Sequence, residues 1–188
     1  MANSTANVSI GKGVQGGYAY AADAGTTLPT DYSTDLDSDA FECLGYISED
    51  GITEATDEDA TEVVDMNGDT VLTETGTHTK TFEFSAIETK KATLKEYFGD
   101  DCVEDADGTI TVKEQSGKRV SKVYVFDLVL SGDRRARIVV PDGKVTEVGE
   151  IVYSSGEVVG YDMTITAYPD EDGVKTVRYI QSTETEAA

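Results

Sequence analysis

From Arg119 to Gln181 the chain runs through short β-prone segments separated by turn signals, and everything upstream has to be fitted to that pattern. Val123, Val125, Asp127 and Val129 interleave with Tyr124, Phe126, Leu128 and Leu130, and the run closes at Ser131-Gly132-Asp133. Ala136–Val140 follows and stops at Pro141-Asp142-Gly143. Tyr161, Met163, Ile165 and Ala167 then point one way while Asp162, Thr164 and Thr166 point the other. After Pro169–Gly173 a last run returns over Val174–Gln181. Side chains of a strand alternate between faces, and runs this short, joined by turns this tight, call for antiparallel neighbours. The pattern predicts a mainly β protein with one solvated sheet face.

The upstream chain reads as appendages and partners of that sheet. Residues 1–30 are rich in Ser, Thr, Ala, Gly and Asn, a composition that buries little, so they read as a flexible arm. Within it Ala19, Tyr20 and Ala21 suit a short strand on a neighbour, and Leu28-Pro29 is held extended. Residues 31–181 then form a single β domain. Asp31–Ala40 suggests a short helical turn or loop, and Phe41, Leu44, Tyr46 and Ile47 lead into a strand at Leu44–Ser48. Glu49-Asp50-Gly51 signals a turn, and residues 49–62, which include Ile52, Glu54 and Asp57, read as a long acidic loop. Asn67-Gly68 between β-prone flanks predicts a hairpin with a two-residue turn. Asp65, Asn67 and Asp69 have calcium-loop spacing, but the glycine comes at the fourth position where such a loop needs it at the sixth. Thr81–Ile87 alternates as a half-buried strand. A helix over about residues 88–98 presents Leu94, Tyr97 and Phe98, and it is too short to stand without a sheet beneath it. A further hairpin is expected around Asp105–Gly108 and a turn at Gly117-Lys118, and residues 182–188 read as a frayed tail.

Charge narrows the function. There are 37 acidic and 15 basic residues, a net charge of −22. Between Gly13 and Thr79 no Lys or Arg occurs, against sixteen Asp and Glu. A nucleic-acid binder needs a basic footprint, and here only Arg134, Arg135 and Arg137 cluster. Cys43 and Cys102 are too few for a disulfide framework or a metal site and read as free thiols. No apolar run approaches the ~20 residues that span a bilayer, and no secretion signal is evident. There is no paired histidine, phosphate loop or nucleophile elbow, so neither an enzyme nor a cofactor site is expected; His78 reads as a surface residue.

Gly25-Thr-Thr-Leu-Pro-Thr-Asp31, Asp35–Ala40 and Leu44-Gly-Tyr-Ile-Ser-Glu-Asp-Gly-Ile52 together resemble the amino-terminal signature of major tail (tail tube) proteins from long, non-contractile-tailed phages of Gram-positive hosts. Arg137–Pro141, Val145–Ile151, Tyr161–Tyr168 and Asp172-Gly173 resemble the end of the same family, and a strand at Thr77–Ile87 running into a short helix resembles its middle. The similarity covers about Ala21 to Gln181. It implies an antiparallel β-sandwich or barrel-like domain with a flanking helix. It also implies a homo-hexameric ring, rings stacked into the tube that carries the genome, and tape measure, tail terminator and distal tail proteins as partners. Double-stranded DNA would pass without binding, since an acidic lining repels phosphate. The expected inter-ring contacts are Leu28, Pro29, Ile52, Glu54 and Asp57. The expected ring-closing hairpins carry Asn67, Gly68, Tyr124, Phe126, Arg134 and Arg135. Other readings of the same residues are a tail terminator, a head–tail connector, or a β-sandwich binding module.

Overall fold

The structure, a computed structural model, describes residues 4–115 and 118–183. The strands are β1 (Lys12–Gly13), β2 (Ala19–Asp23), β3 (Glu42–Cys43), β4 (Ile47–Val64), β5 (Thr70–Ala86), β6 (Val103–Ala106), β7 (Thr109–Val112), β8 (Lys122–Leu130), β9 (Arg134–Val148), β10 (Tyr161–Tyr168) and β11 (Val177–Ile180). The helix α1 spans Lys91–Phe98. One sheet runs in the order β3-β2-β8-β9-β10-β5-β4, with β1 also on β8 and β11 also on β9; β6 and β7 form a separate hairpin. All of its pairings are antiparallel.

The long strand β9 folds this sheet over. Its first half pairs with β8 from Leu130↔Arg134 to Tyr124↔Val140, and its second half pairs with β10 from Tyr168↔Asp142 to Met163↔Val148. The stop expected at Pro141-Asp142-Gly143 does not occur. Pro141 instead sits where the β8 register slips, so its missing N–H falls at an irregularity of the ladder. Gly143 is needed there, because a Cβ would lie 2.6 Å from the Tyr124 ring. The two halves of the bent sheet face one another across Phe82, Phe84 and Phe126, with ring centroids 5.3 and 5.9 Å from the Phe126 ring. Leu44, Tyr124, Val140, Met163 and Ile165 complete this core. The result is a sandwich-like open sheet, not a closed barrel.

A second, smaller core lies on the other side of β8. Val123, Val125 and Val139 pack with Ala22 and Phe41, and Leu28, Leu36 and Ala40 lean on them from outside. Hence β8 is buried on both faces over Lys122–Asp127, where alternation had predicted one solvated face.

Three expectations for the upstream chain are corrected. Residues 1–30 are not a free arm throughout: Ala19, Ala21 and Ala22 are buried, and β2 pairs with β8 of its own domain. Residues 49–62 are not a loop but most of the eighteen-residue strand β4. Glu49-Asp50-Gly51 makes a bulge in that strand, with Gly51 at φ 75° and the register shifting between Ile47 and Ile52. The hairpin end is not a two-residue turn either. Asp65 N–H donates to Asp69 O at 2.9 Å and Gly68 N–H to Asp65 O at 3.1 Å, so the Asp65–Asp69 pair closes a loop of three residues, with Gly68 at φ 88°. The turn at Asp107-Gly108 is of the two-residue kind, both residues having positive φ. The turn expected at Gly117 and the tail beyond Thr183 lie outside the described residues.

Helix α1 begins at Lys91, three residues later than predicted, because Glu88 and Thr89 are engaged elsewhere. Tyr46 N–H donates to the Glu88 carboxylate at 2.9 Å, and the Thr89 and Tyr161 hydroxyls lie 3.0 Å apart. Leu94 and Tyr97 are buried, and Phe98 is half-buried against the core.

Candidate assembly surfaces

The β4–β5 hairpin leaves the body and continues into solvent. Register runs from Ile52↔Phe84 to Val64↔Thr70, and from Ala55 to Thr79 every residue except Asp65 is exposed. Two strands with both faces in water are at best marginally stable. What aims the ribbon is its root. Glu54 accepts from both Lys80 and Arg178, tying β4 to β5 and β11, while Lys80 also donates to Thr56 at 2.6 Å. Beyond it, Lys175 reaches the His78 carbonyl and lies 3.1 Å from its Nδ1, and His78 Nε2 lies 3.4 Å from Glu58.

At the far end Asp65 fastens the turn. Its Oδ1 accepts from Asn67 N–H at 2.8 Å and Asp69 N–H at 3.0 Å, and its Oδ2 from the Asn67 side chain at 3.1 Å. The backbone bonds from Asp69 and Asn67 hold its carboxyl below the usual range. Ile52 is half-buried against the core, Glu54 sits in the root, Asp57 is exposed opposite Thr79, and Asn67 and Gly68 are at the tip.

Leu28 and Pro29 are half-buried, and Leu28 packs on the second core rather than standing free. The segment carrying them is pinned by Arg137. Its guanidinium donates to both Asp127 oxygens at 2.6 and 2.9 Å and to the carbonyls of Asp31 and Thr34 at 3.1 and 2.9 Å. The Asp31 carboxylate, in turn, accepts from the Thr34 hydroxyl and from the backbone of Thr34 and Ser33, each at 2.6 Å, and these bonds lower its pKa.

Tyr124 and Phe126 are corrected as contact residues: both are almost completely buried, so neither side chain is offered to a neighbour. Tyr124 belongs instead to a polar cluster that sequence reasoning missed. Its hydroxyl donates to Glu96 at 2.5 Å, and Lys122 donates to Glu96 and Asp100 at 2.7 Å each. This fastens α1 to β8. Burial pushes the Tyr124 hydroxyl well above its usual pKa, with the Glu96 charge adding to it. Burial also pulls on Lys122, but the Glu96 and Asp100 carboxylates prevail and raise it.

Arg134 and Arg135 stand at the β8–β9 turn, Arg134 half-buried and Arg135 exposed. Arg134 bonds the Ser9 hydroxyl and Ile10 N–H donates to Ser131 at 2.9 Å, so the chain before β1 is laid along this turn. Between the sheet halves an apolar groove of about 440 Å³ opens among Tyr18, Ile52, Phe82, Phe126, Leu128 and Ile138. Among the described residues no group of His, Cys, Asp or Glu is arranged to hold a metal ion, and no helix is long and apolar enough to cross a membrane.

The described residues thus form a β domain with two apolar cores and a long ribbon that its own body leaves uncovered. A family model of phage tail tube proteins matches residues 2–188, and the chain belongs to that family. No curated protein matches it. It is therefore a structural component of the phage tail, not an enzyme, and its place is the virion.

Proposed function

We propose that six copies close a ring and that rings stack into the tube of a long, non-contractile tail, through which double-stranded DNA passes without sticking. The observation that carries this reading is the β4–β5 ribbon, exposed on both faces from Ala55 to Thr79 apart from Asp65, in a chain of the tail tube family. An element that cannot be stabilised by its own body is supported once it lies against another copy. The β8–β9 turn with Arg134 and Arg135, and the hairpin end at Asn67-Gly68, close the ring. The segment at Leu28-Pro29 and the ribbon side chains from Ile52 through Asp57 face the adjacent ring. Stacking one surface on a different one does not close on itself, so it yields a filament. The charge of −22 suits a bore that repels phosphate. Tape measure, terminator and distal tail proteins are the partners that such a tube requires, and assembly takes place in the host cytoplasm.

Negative-stain electron microscopy of the purified chain tests this. Hollow filaments with a regular axial repeat are expected. Single rings that never stack would point to a terminator, and a chain that stays monomeric at high concentration would refute the reading.

A further inference from the structure

The end of the ribbon carries a reactive pair. The chain has three asparagines, followed by Ser4, Val8 and Gly68, so Asn67 is the one whose next residue has no side chain. An asparagine side-chain amide is open to attack by the backbone nitrogen of the residue after it, and a Cβ on that residue obstructs the approach. At Gly68 the way is clear: outside its chain neighbours, no atom lies within 4 Å of where a Cβ would stand. Water is at hand as well. Met66, Asn67 and Gly68 are exposed, and the neighbouring Val63, Val64, Val71 and Leu72 are exposed rather than folded over the turn.

Both reacting groups are held by one residue. Gly68 N–H, the source of the nucleophile, donates to Asp65 O at 3.1 Å, and the Asn67 side-chain amide, which holds the leaving nitrogen, donates to Asp65 Oδ2 at 3.1 Å. Asn67 N–H adds a bond to Asp65 Oδ1 at 2.8 Å. The side chain is therefore turned back towards Asp65, away from the nitrogen that would attack it. Negative charge on Asp65 and Asp69 also opposes removal of the proton from Gly68 N. Reaction requires the turn to open, and the open fraction depends on how firmly Asp65 fastens it.

We propose that Asn67 is a slow, one-way modification site of the folded protein, converted by water to aspartate and isoaspartate, and that Asp65 sets the rate. In the first step Gly68 N bonds to Asn67 Cγ and the Cγ–Nδ2 bond breaks. Nδ2 leaves as ammonia with the proton that Gly68 N gave up, and a cyclic imide remains. Water then adds to one of the two imide carbonyls. Cleavage of the bond from Gly68 N to Cγ gives aspartate; cleavage of its bond to the Asn67 main-chain carbon gives isoaspartate, whose backbone is longer by a methylene. Either product carries a carboxylate and lacks the amide that donated to Asp65, so a hydrogen bond gives way to repulsion between like charges. With the ammonia lost, the turn cannot return to its fastened form. The reaction belongs to the single chain and is independent of assembly.

The test follows the full chain at neutral pH, below the concentration at which it assembles, by peptide mass mapping, with hydroxylamine to cleave the imide. Two products of the peptide holding Asn67 are expected, each with the mass of hydroxyl in place of amine, together with hydroxylamine fragments 1–67 and 68–188. Asn7 should stay unchanged, and Asn67→Gln, which would need a larger ring, should give neither product. Asp65→Ala should speed the conversion roughly fivefold or more, and Asp65→Asn, which keeps the shape but weakens the side-chain bonds, should fall between. In urea, where the turn is gone, wild type and Asp65→Ala should convert at one common rate. No conversion of folded wild type over many half-lives of the urea-unfolded chain would overturn the site. Equal folded rates for wild type and Asp65→Ala, or a difference that persists in urea, would overturn the part assigned to Asp65.

Discussion

Replacing Arg137 by Met tests how the outer segment is held. In the native protein its guanidinium and the Asp127 carboxylate are only 3% and 12% exposed, and it makes four hydrogen bonds, two to that carboxylate and two to carbonyls of the Asp31–Thr34 turn. Arg137→Met keeps the bulk of the stem but leaves Asp127 buried with no cation, and frees the turn that holds Leu28, Leu36 and Phe41 on the second core. Breaking one side of a buried pair costs about 3–5 kcal/mol. For a chain of this size that is a fall of roughly 6–20 °C in Tm. The double variant Arg137→Met/Asp127→Leu removes the stranded charge and should recover at least half of the loss. Urea unfolding followed by circular dichroism gives both values, provided that m stays constant. Amide exchange should accelerate at Ala40 and Phe41, whose N–H groups donate to Asp37 O. If the double variant is no more stable than the single one, or the single one loses under about 1 kcal/mol, then the pair is not what secures this segment.

Three other outcomes follow from the geometry. Gly143→Ala should destabilise by about 1–3 kcal/mol in a urea titration, since the new methyl meets Tyr124 at 2.6 Å and Ile165 at 3.1 Å; an unchanged midpoint would show that the bend at β9 yields. Lys122 and Tyr124 both have raised folded-state pKa values, so the stability they contribute is complete below the ordinary values of 10.5 and 10.0 and is lost as pH rises through the raised ones. Thermal melts should hold to about pH 10 and then fall, with ultraviolet titration showing one tyrosine that ionises only on unfolding. Asp65 behaves oppositely. Its depressed pKa means that the tip is fully fastened above the ordinary 3.8 and loosens as pH falls through the lowered value, so Asp65→Ala at neutral pH should speed amide exchange at Asn67 and Asp69, and acid should lower the protection factors of the same two amides, without altering the core.

How much of this was legible in the sequence depended on which residues see a one-sided environment. Strand β10 is buried at Tyr161, Met163, Ile165 and Ala167 and more open between them, and its alternation announced it. Phe82, Phe84 and Ala86 did the same for the inner end of β5. Strand β4 did not announce itself, because with water on both faces nothing selects apolar residues at every second place. What makes it a strand is pairing with β5, a non-local cause. The signal that existed lay in the partner: Thr73, Thr75, Thr77, Thr79 and Thr81 recur at period two, and β-branched side chains favour the pleated backbone. The second core was illegible for another reason. Residues 24–41 contribute few apolar side chains, and what seals them down is an arginine on β9, more than ninety positions further along the chain from their last residue.

These features assign different mechanical roles to different parts of one hairpin. At the root, Glu54 with Lys80 and Arg178 fixes where the ribbon leaves the sheet and in which direction. At the tip, Asp65 fixes the turn that presents Met66. Beyond the Lys175 contact with His78 no ion pair among the described residues ties the ribbon to the body, and the strands there are solvated, the part of the structure with the least to lose by bending. A contact element needs that distribution. If the root were loose, the tip would search a wide volume and pay the entropy at every docking event. If the middle were as rigid as the core, small differences between neighbouring copies could not be accommodated. The acids along the ribbon also keep unassembled copies apart, because like charges on two ribbons repel before their apolar ends can meet each other.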